Sequence, residues 1–174
     1  FFLTKKIDII IVACNSASSV ALEDLETNDI PIIGTIKPSI SSVIRNPHIK
    51  SIGIIGTDTT INSKAYNTSF SNLKEFFSSR LQIHSVPCPL FVPIVEEGWE
   101  NTDIAHQIAI KYFSHFRNIH LDSVILACTH YSMLLDTLKS AFNQLGHKNL
   151  NFIDSGDAIA RHLSAGLTQS NKTN

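Results

Sequence analysis

Short apolar runs rich in isoleucine and valine alternate along the chain with longer stretches whose apolar residues recur at helical spacing. The runs predict β-strands at residues 7–13, 31–34, 51–56, 81–86, 123–127 and 150–153. Strands separated by helices of this length are typical of βαβ units, in which helices cover both faces of a parallel sheet. The pattern therefore predicts an α/β fold with mainly parallel sheets and flanking helices.

Two stretches have a clear helical apolar face. The first follows Cys128 and ends near Gly146, a plausible helix stop, and its apolar positions are Tyr131, Leu134, Leu135, Leu138, Phe142 and Leu145. The second presents Ile104, Ile108, Tyr112 and Phe116. Residues 88–98 differ, because two prolines within apolar sequence favour a buried irregular loop over a helix or a central strand.

Two segments of the chain are nearly alike: residues 9–16 read IIIVACNS and residues 123–130 read SVILACTH. Each places a cysteine where a predicted strand gives way to a helix, the edge at which ligands bind in parallel sheets. A helix start there lowers a thiol pKa from about 8.5 toward neutrality. A cysteine that ends an apolar strand usually serves packing. The duplication instead favours a pair of thiols that give and take a proton on opposite sides of one carbon.

The repeat predicts two similar lobes with the active site in the cleft between them. The first lobe is predicted to comprise residues 1–38 and 149–174 and to contain Cys14, and the second to comprise residues 39–148 and to contain Cys128. The chain opens with Phe1 and has no initiator Met, so we interpret it as part of something longer, with an incomplete first lobe.

Composition narrows the class of protein. The chain has 174 residues, 43% apolar and 17% charged, with a net charge of -1, so neither a disordered tail nor a basic nucleic-acid surface is indicated. Its three cysteines are widely spaced and odd in number, which favours a reducing cytoplasm over a disulfide framework or a zinc site. No apolar run approaches the roughly 18 residues of a membrane span, and no His-Glu-x-x-His pair indicates a metal.

Several further residues are candidates for chemistry. His130 lies two residues beyond Cys128 and can shift the pKa of its thiol or relay its proton, although a helix-start histidine bonded to backbone is the alternative. Residues 53–60 combine glycines with hydroxyls, which suits either an anion-holding turn or a simple helix cap. Glu96 or Glu97 is either held in a cleft or exposed at a helix start. Asp154 and its neighbours are predicted to cap a helix.

Together these segments resemble the cofactor-independent glutamate racemases of bacterial cell-wall synthesis, within the aspartate/glutamate racemase superfamily. The matching motifs are VACNSAS at 12–18, GIIGT at 53–57, PLFVPIVEEG at 89–98, ACTHY at 127–131 and IDSG at 153–156. The resemblance implies racemisation of glutamate by two bases, without a cofactor and without a metal. It also implies that the product D-glutamate supplies peptidoglycan synthesis in the cytoplasm, with a homodimer left open.

The resemblance implies a role for each matched residue. Cys14 corresponds to the cysteine that acts on the D enantiomer, and Cys128 to the one that acts on the L enantiomer. His130 and Glu96 correspond to residues that assist proton transfer. The positions that correspond to substrate-binding residues are Asn15, Ser16, Thr57, Thr60, Thr129 and His130. Cys88 corresponds to a cysteine that is not catalytic.

The chain also departs from the family pattern, which leaves other functions open. Ser132 replaces a usual proline, and the family's first Asp-Ser-Gly segment precedes the first cysteine by more residues than this chain has. Within the superfamily, an aspartate racemase, a hydantoin racemase or a decarboxylase remains an alternative, since the pocket sets the substrate. Outside it, the alternatives are a non-catalytic remnant of the racemase fold and a thiol redox or metal-binding protein.

Overall fold

A computed structural model describes residues 4–25, 30–73 and 81–170, and the side chains of these ranges up to residue 165. Within that part of the chain the strands are β1 (Ile10–Val12), β2 (Ile32–Gly34), β3 (Ser51–Gly56), β4 (Gln82–Pro87), β5 (Ser123–Ala127) and β6 (Asn151–Asp154). The helices are α1 (Asn15–Val20), α2 (Ile36–Ile44), α3 (Asp58–Asn62), α4 (Ala65–Ser71), α5 (Phe91–Glu96), α6 (Asp103–Phe113), α7 (Leu135–Gln144) and α8 (Ser155–Ser170).

The described strands form two parallel sheets. Strands β1 and β2 pair in one sheet, and the other has the order β4-β3-β5-β6. The predicted α/β class with parallel sheets and flanking helices is therefore confirmed. Since all paired strands run the same way, the carboxyl ends of each sheet lie along one edge, where Gly56 pairs with Ala127.

Alternation along the strands of the larger sheet creates two hydrophobic layers. Ile55, Val124 and Leu126 pack on one face with residues of α5, α6 and α7. Ile52, Ile54 and Ile125 pack on the other face with residues of α2 and α4. Because successive strand side chains point to opposite faces, a continuous isoleucine and valine run serves both layers.

The lobe boundaries differ from the prediction, which assigned residues 149–174 to the first lobe. Strand β6 pairs with β5 in the larger sheet, where Ile153 is buried, and α8 packs on α2. Helix α2 in turn covers that sheet, although the predicted boundary at residue 38 lies inside it. Between Ile10 and Gly34 the described residues form β1, α1, a 3₁₀ turn at Glu23–Leu25 and β2, with β1 and β2 paired in the smaller sheet. Residues 1–3, 26–29 and 171–174 of the predicted lobe lie outside the described residues.

The segment predicted as an irregular loop, residues 88–98, contains helix α5. The prediction was wrong because Pro93 is the third residue of this helix, and the first-turn N–H groups have no partner within a helix in any case. Phe91 and Ile94 are buried on its inner face.

The apolar face predicted for α6 was partly wrong, since Ile104 is 56% exposed. The fully buried face instead carries Ala105, Ala109 and Phe113, with Phe116 just beyond the helix. Alanines allow α6 to lie close to α7, so the smaller side chains and not the larger isoleucine mark the inner face.

Candidate active site

Cys14 lies at the carboxyl end of β1, directly before helix α1. Its backbone is extended, with φ -75° and ψ 124°, and its carbonyl accepts a hydrogen bond of 2.9 Å from the N–H of Ser18. The thiol is exposed. We call residues 13–16 the Cys14 turn, and its thiol is accessible to a small molecule.

The side chain of Asn15 points into the protein. The residue is 2% exposed, its amide nitrogen donates to Ser155 Oγ at 3.1 Å, and its Oδ1 accepts from the Tyr66 hydroxyl at 2.9 Å. Burial raises the pKa of Tyr66 to about 12, against the weaker effects of hydrogen bonds from Ser39 and Thr35, so the donor keeps its proton near neutrality. Both ends of the amide thus bind protein groups, and contact of Asn15 with substrate stays a prediction.

Three hydroxyls predicted to lie near the substrate do come together. Ser16 Oγ is 2.8 Å from Thr57 Oγ1 and 3.3 Å from Thr60 Oγ1, and the two threonine hydroxyls are 3.1 Å apart. Thr57 also caps α3, since its side chain accepts from the N–H of Thr60 at 3.2 Å. The helix-cap interpretation of this segment is confirmed, and the residue that caps the helix also bonds the Cys14 turn. The anion-holding role stays a prediction.

Cys128 occupies the equivalent place after β5. Its backbone is extended, with φ -158° and ψ 135°, and a 3₁₀ segment, Thr129–Leu134, follows directly. We call residues 127–132 the Cys128 turn. Cys128 is 6% exposed, whereas Thr129 beside it is exposed. The two turns are alike in backbone form but differ in how far the thiol is buried.

His130 links the second thiol to a carboxylate. Its Nδ1 is 3.9 Å from Cys128 Sγ, and its Nε2 is 3.5 Å from Glu96 Oε1 at the end of α5. The side chain of Glu96 is 62% exposed, so the carboxylate is in contact with water. The structure thus brings Cys128, His130 and Glu96 into one line from the sulfur to the surface.

A profile of the Asp/Glu/Hydantoin racemase family matches residues 3–163. The chain belongs to this family. It is 40% identical over 158 residues to a glutamate racemase from Sulfurihydrogenibium sp. (strain YO3AOP1), a match that covers 90% of this chain and 57% of that protein.

Solved glutamate racemases have the same fold as this family member. The structure from Francisella tularensis, in complex with D-glutamate, superposes with a TM-score of 0.85 at 27% identity and covers 98% of this chain. An isoform from Bacillus anthracis gives the same TM-score at 30% identity and the same coverage. The chain spans about 57–61% of the length of these three racemases.

The expectation that a helix start would lower the thiol pKa does not hold for Cys128 in this racemase-family chain. Burial raises the pKa of Cys128, and hydrogen bonds from the backbone N–H groups of His130 and Tyr131 oppose that effect without cancelling it. A negative charge on Cys14 raises the pKa of Cys128 further. Cys128 therefore holds its proton more strongly than a free cysteine does.

Cys88, the third cysteine of this racemase-family chain, serves packing. It is fully buried, its thiol donates to the Val86 carbonyl at 3.6 Å, and burial raises its pKa well above the usual range. Among the described residues no group of three or more histidine, cysteine, aspartate or glutamate side chains is arranged to hold a metal ion. Within the same part of the chain, no helix has the length and apolar character needed to cross a membrane.

Sequence reasoning missed the residues that support the two turns. Tyr131 is fully buried and donates to the Cys88 carbonyl at 2.8 Å, and its ring meets that of Phe91 edge-on at 5.2 Å. Ser155 bonds Asn15, and Ser132 bonds Asp154. One signal was available, because Asp154 and Ser155 stand at the end of a predicted strand, where the other candidates also stand.

Proposed function

We propose that this protein interconverts L- and D-glutamate without a cofactor, by proton transfer between the substrate and two cysteine thiols. The observation that carries the proposal is the pair of thiols, which lie in equivalent turns at the carboxyl ends of strands in two parallel sheets. The glutamate racemases reported above support the choice of glutamate as the substrate, since one of their structures is a complex with D-glutamate.

The proposed reaction uses each thiol once per turnover. With D-glutamate, the Cys14 thiolate takes the α-proton, the C–H electron pair stays on carbon, and the Cys128 thiol gives its proton to the opposite face. Cys14 then carries the proton and Cys128 is the thiolate. Burial favours the protonated form of Cys128, which suits it to act as the acid in this direction.

With L-glutamate, Cys128 must first lose its proton. His130 is placed to accept it at 3.9 Å, and Glu96 at 3.5 Å stabilises the positive charge that the imidazole then gains. Cys128 takes the substrate proton, and the Cys14 thiol protonates the opposite face. Because Cys14 is exposed, we propose that it exchanges its proton with solvent without a comparable relay.

Hydroxyl groups supply the remaining chemistry. An amino acid α-proton is weakly acidic, so the site must stabilise the negative charge that develops on the carboxylate and the α-carbon. We propose that Ser16, Thr57 and Thr129 donate hydrogen bonds to the substrate, and that Thr60, which is 1% exposed, orients the hydroxyls of Ser16 and Thr57. We propose that the buried side chain of Asn15 contributes by holding the backbone of the Cys14 turn in place.

The proposed role is to supply D-glutamate for peptidoglycan synthesis in the cytoplasm.

The proposed reaction is tested by incubation of the protein with each enantiomer of glutamate in D₂O. NMR follows loss of the α-proton signal, and circular dichroism follows inversion. We expect both reactions in the parent protein and a loss of inversion of at least about 100-fold in Cys14→Ser and in Cys128→Ser. Cys88→Ala, at the cysteine outside the site, is the matched control and should keep inversion.

Three outcomes would contradict the proposal. Inversion that survives in either serine variant removes the two-thiol mechanism. A parent protein that folds but exchanges neither enantiomer supports a non-catalytic member of the racemase family. Turnover of aspartate but not of glutamate, measured in the same assay, replaces the substrate and keeps the chemistry.

A further inference from the structure

The junction between β6 and α8 is bonded to both thiol turns. Ser155, the first residue of α8, accepts a hydrogen bond from Asn15, which directly follows Cys14. Asp154, the last residue of β6, accepts one from Ser132, four residues after Cys128. Two consecutive residues of one junction thus connect turns that are far apart in sequence.

The bond to the Cys14 turn is buried. Ser155 is 1% exposed and Asn15 is 2% exposed, and the Tyr66 hydroxyl holds the other end of the asparagine amide. Removal of the Ser155 hydroxyl leaves a buried N–H group of Asn15 without a partner, which disfavours this arrangement of the turn. The backbone of the Cys14 turn is therefore fixed against α8.

The bond to the Cys128 turn depends on an oriented carboxylate. One oxygen of Asp154 accepts from the N–H of Asp157 at 2.8 Å, in the first turn of α8, and the other accepts from the Ser132 hydroxyl. A side chain on Gly156 would place its Cβ 3.1 Å from the first of these oxygens, so glycine leaves room for the carboxylate.

We propose that the Asp154–Ser155 junction is a positioning element that sets the alignment of Cys14 with Cys128 across the substrate. This inference rests on the proposed two-thiol function. Inversion needs both sulfurs in line with the α-carbon, whereas removal of the proton needs one sulfur alone. A turn that shifts by a fraction of an ångström therefore impairs delivery of the second proton more than removal of the first.

The measurement that separates these steps is the destination of solvent deuterium at low conversion in D₂O. When the second thiol is misaligned, the carbanion regains a hydron on its original face after the first thiol has exchanged with solvent. Deuterium then accumulates in the starting enantiomer, which has exchanged its α-proton without inversion, and not in the inverted product. Partial unfolding lowers both quantities equally, so their ratio reports alignment and not the amount of folded protein.

We expect Ser155→Ala with L-glutamate, for which Cys14 is the second thiol, and Ser132→Ala with D-glutamate, for which Cys128 is, to raise the ratio of deuterium in recovered substrate to deuterium in inverted product, on the order of threefold or more. Ser132→Thr keeps the hydroxyl at an exposed position and should restore the parent ratio. Ser140→Ala, on the exposed side of α7, is the matched control and should leave the ratio unchanged.

The two proposals fail in different ways. If the parent protein shows no exchange, the two-thiol function fails. If the parent protein inverts glutamate and both alanine variants keep the parent ratio, the positioning role is refuted even when their melting temperatures fall. Should Ser155→Ala fail to fold, Ser132→Ala decides the question, because its side chain lies at the surface.

Discussion

At the scale of single residues, Cys128 shows how two opposing effects act on one thiol. Backbone N–H groups at the start of its turn favour the thiolate, and burial favours the thiol. Burial is the larger effect, so the pKa of Cys128 is raised and the thiol keeps its proton. Cys14, in a turn of the same form, remains exposed to solvent. The paired thiols are alike in sequence and different in environment.

Alkylation measures this difference directly. In the folded protein we expect iodoacetamide to modify Cys14 first, Cys128 more slowly and the fully buried Cys88 last. Because burial raises the pKa of Cys128 above the usual cysteine value of about 8.5, its thiolate fraction and its rate should still rise as the pH passes about 9. Mass spectrometry of the labelled peptides gives each rate, and unfolded protein, in which all three react, is the control. A Cys128 rate that levels off below pH 8 would contradict the assigned shift.

At the scale of elements, the turns after parallel strands place the chemistry. Strands β1, β3, β5 and β6 each end in a short turn that leads into a helix or a 3₁₀ segment, and polar side chains in these turns bond to one another. Ser16 and Thr57 join the first lobe to the larger sheet in this way. Thr57 therefore has two roles, because the residue that caps α3 also bonds Ser16 in the turn that follows β1.

Thr57→Ala tests the double use of this cap. We expect the free energy of unfolding to fall by about 1 kcal/mol, since the N–H of Thr60 loses its acceptor. The rate of glutamate inversion by the folded protein should fall as well, because the hydroxyl contact between Thr57 and Ser16 is lost. Chemical denaturation and the deuterium assay provide the two measurements. Thr57→Ser keeps the hydroxyl and is the control, and equal losses in both variants would refute the hydroxyl's role.

At the scale of the whole molecule, the aromatic core that stabilises the fold and the proposed active site lie in different regions. An aromatic cluster on one face of the larger sheet includes Phe113 and Phe142, whose rings stack with centroids 4.0 Å apart. Phe116 and Phe152 contact the same Phe142 ring at 5.7 and 5.8 Å. This cluster fixes α6 and α7 to the sheet, and the strand ends then present the thiol turns at the edge.

Phe142→Ala should destabilise the protein without changing its chemistry. Removal of a fully buried ring leaves a cavity and costs about 3–5 kcal/mol. We expect a lower melting temperature, by calorimetry, with the deuterium ratio of the folded fraction unchanged. Ile104→Ala, at a residue that is 56% exposed, is the control and should change stability by no more than about 0.5 kcal/mol. A changed deuterium ratio in Phe142→Ala would show that the core and the site are coupled.

The sequence by itself determined the strands, the parallel α/β class and the pair of thiols, because these depend on local patterns: apolar runs, helical spacing and a duplicated strand end. Helix α5 and the inner face of α6 were mispredicted, since the first-turn place of Pro93 and the packing of two alanines depend on neighbours. Only the tertiary structure decided that β6 joins the larger sheet, that Asn15 points inward and that burial raises the pKa of Cys128. Each of these depends on groups distant in the chain, and no local pattern records which groups those are.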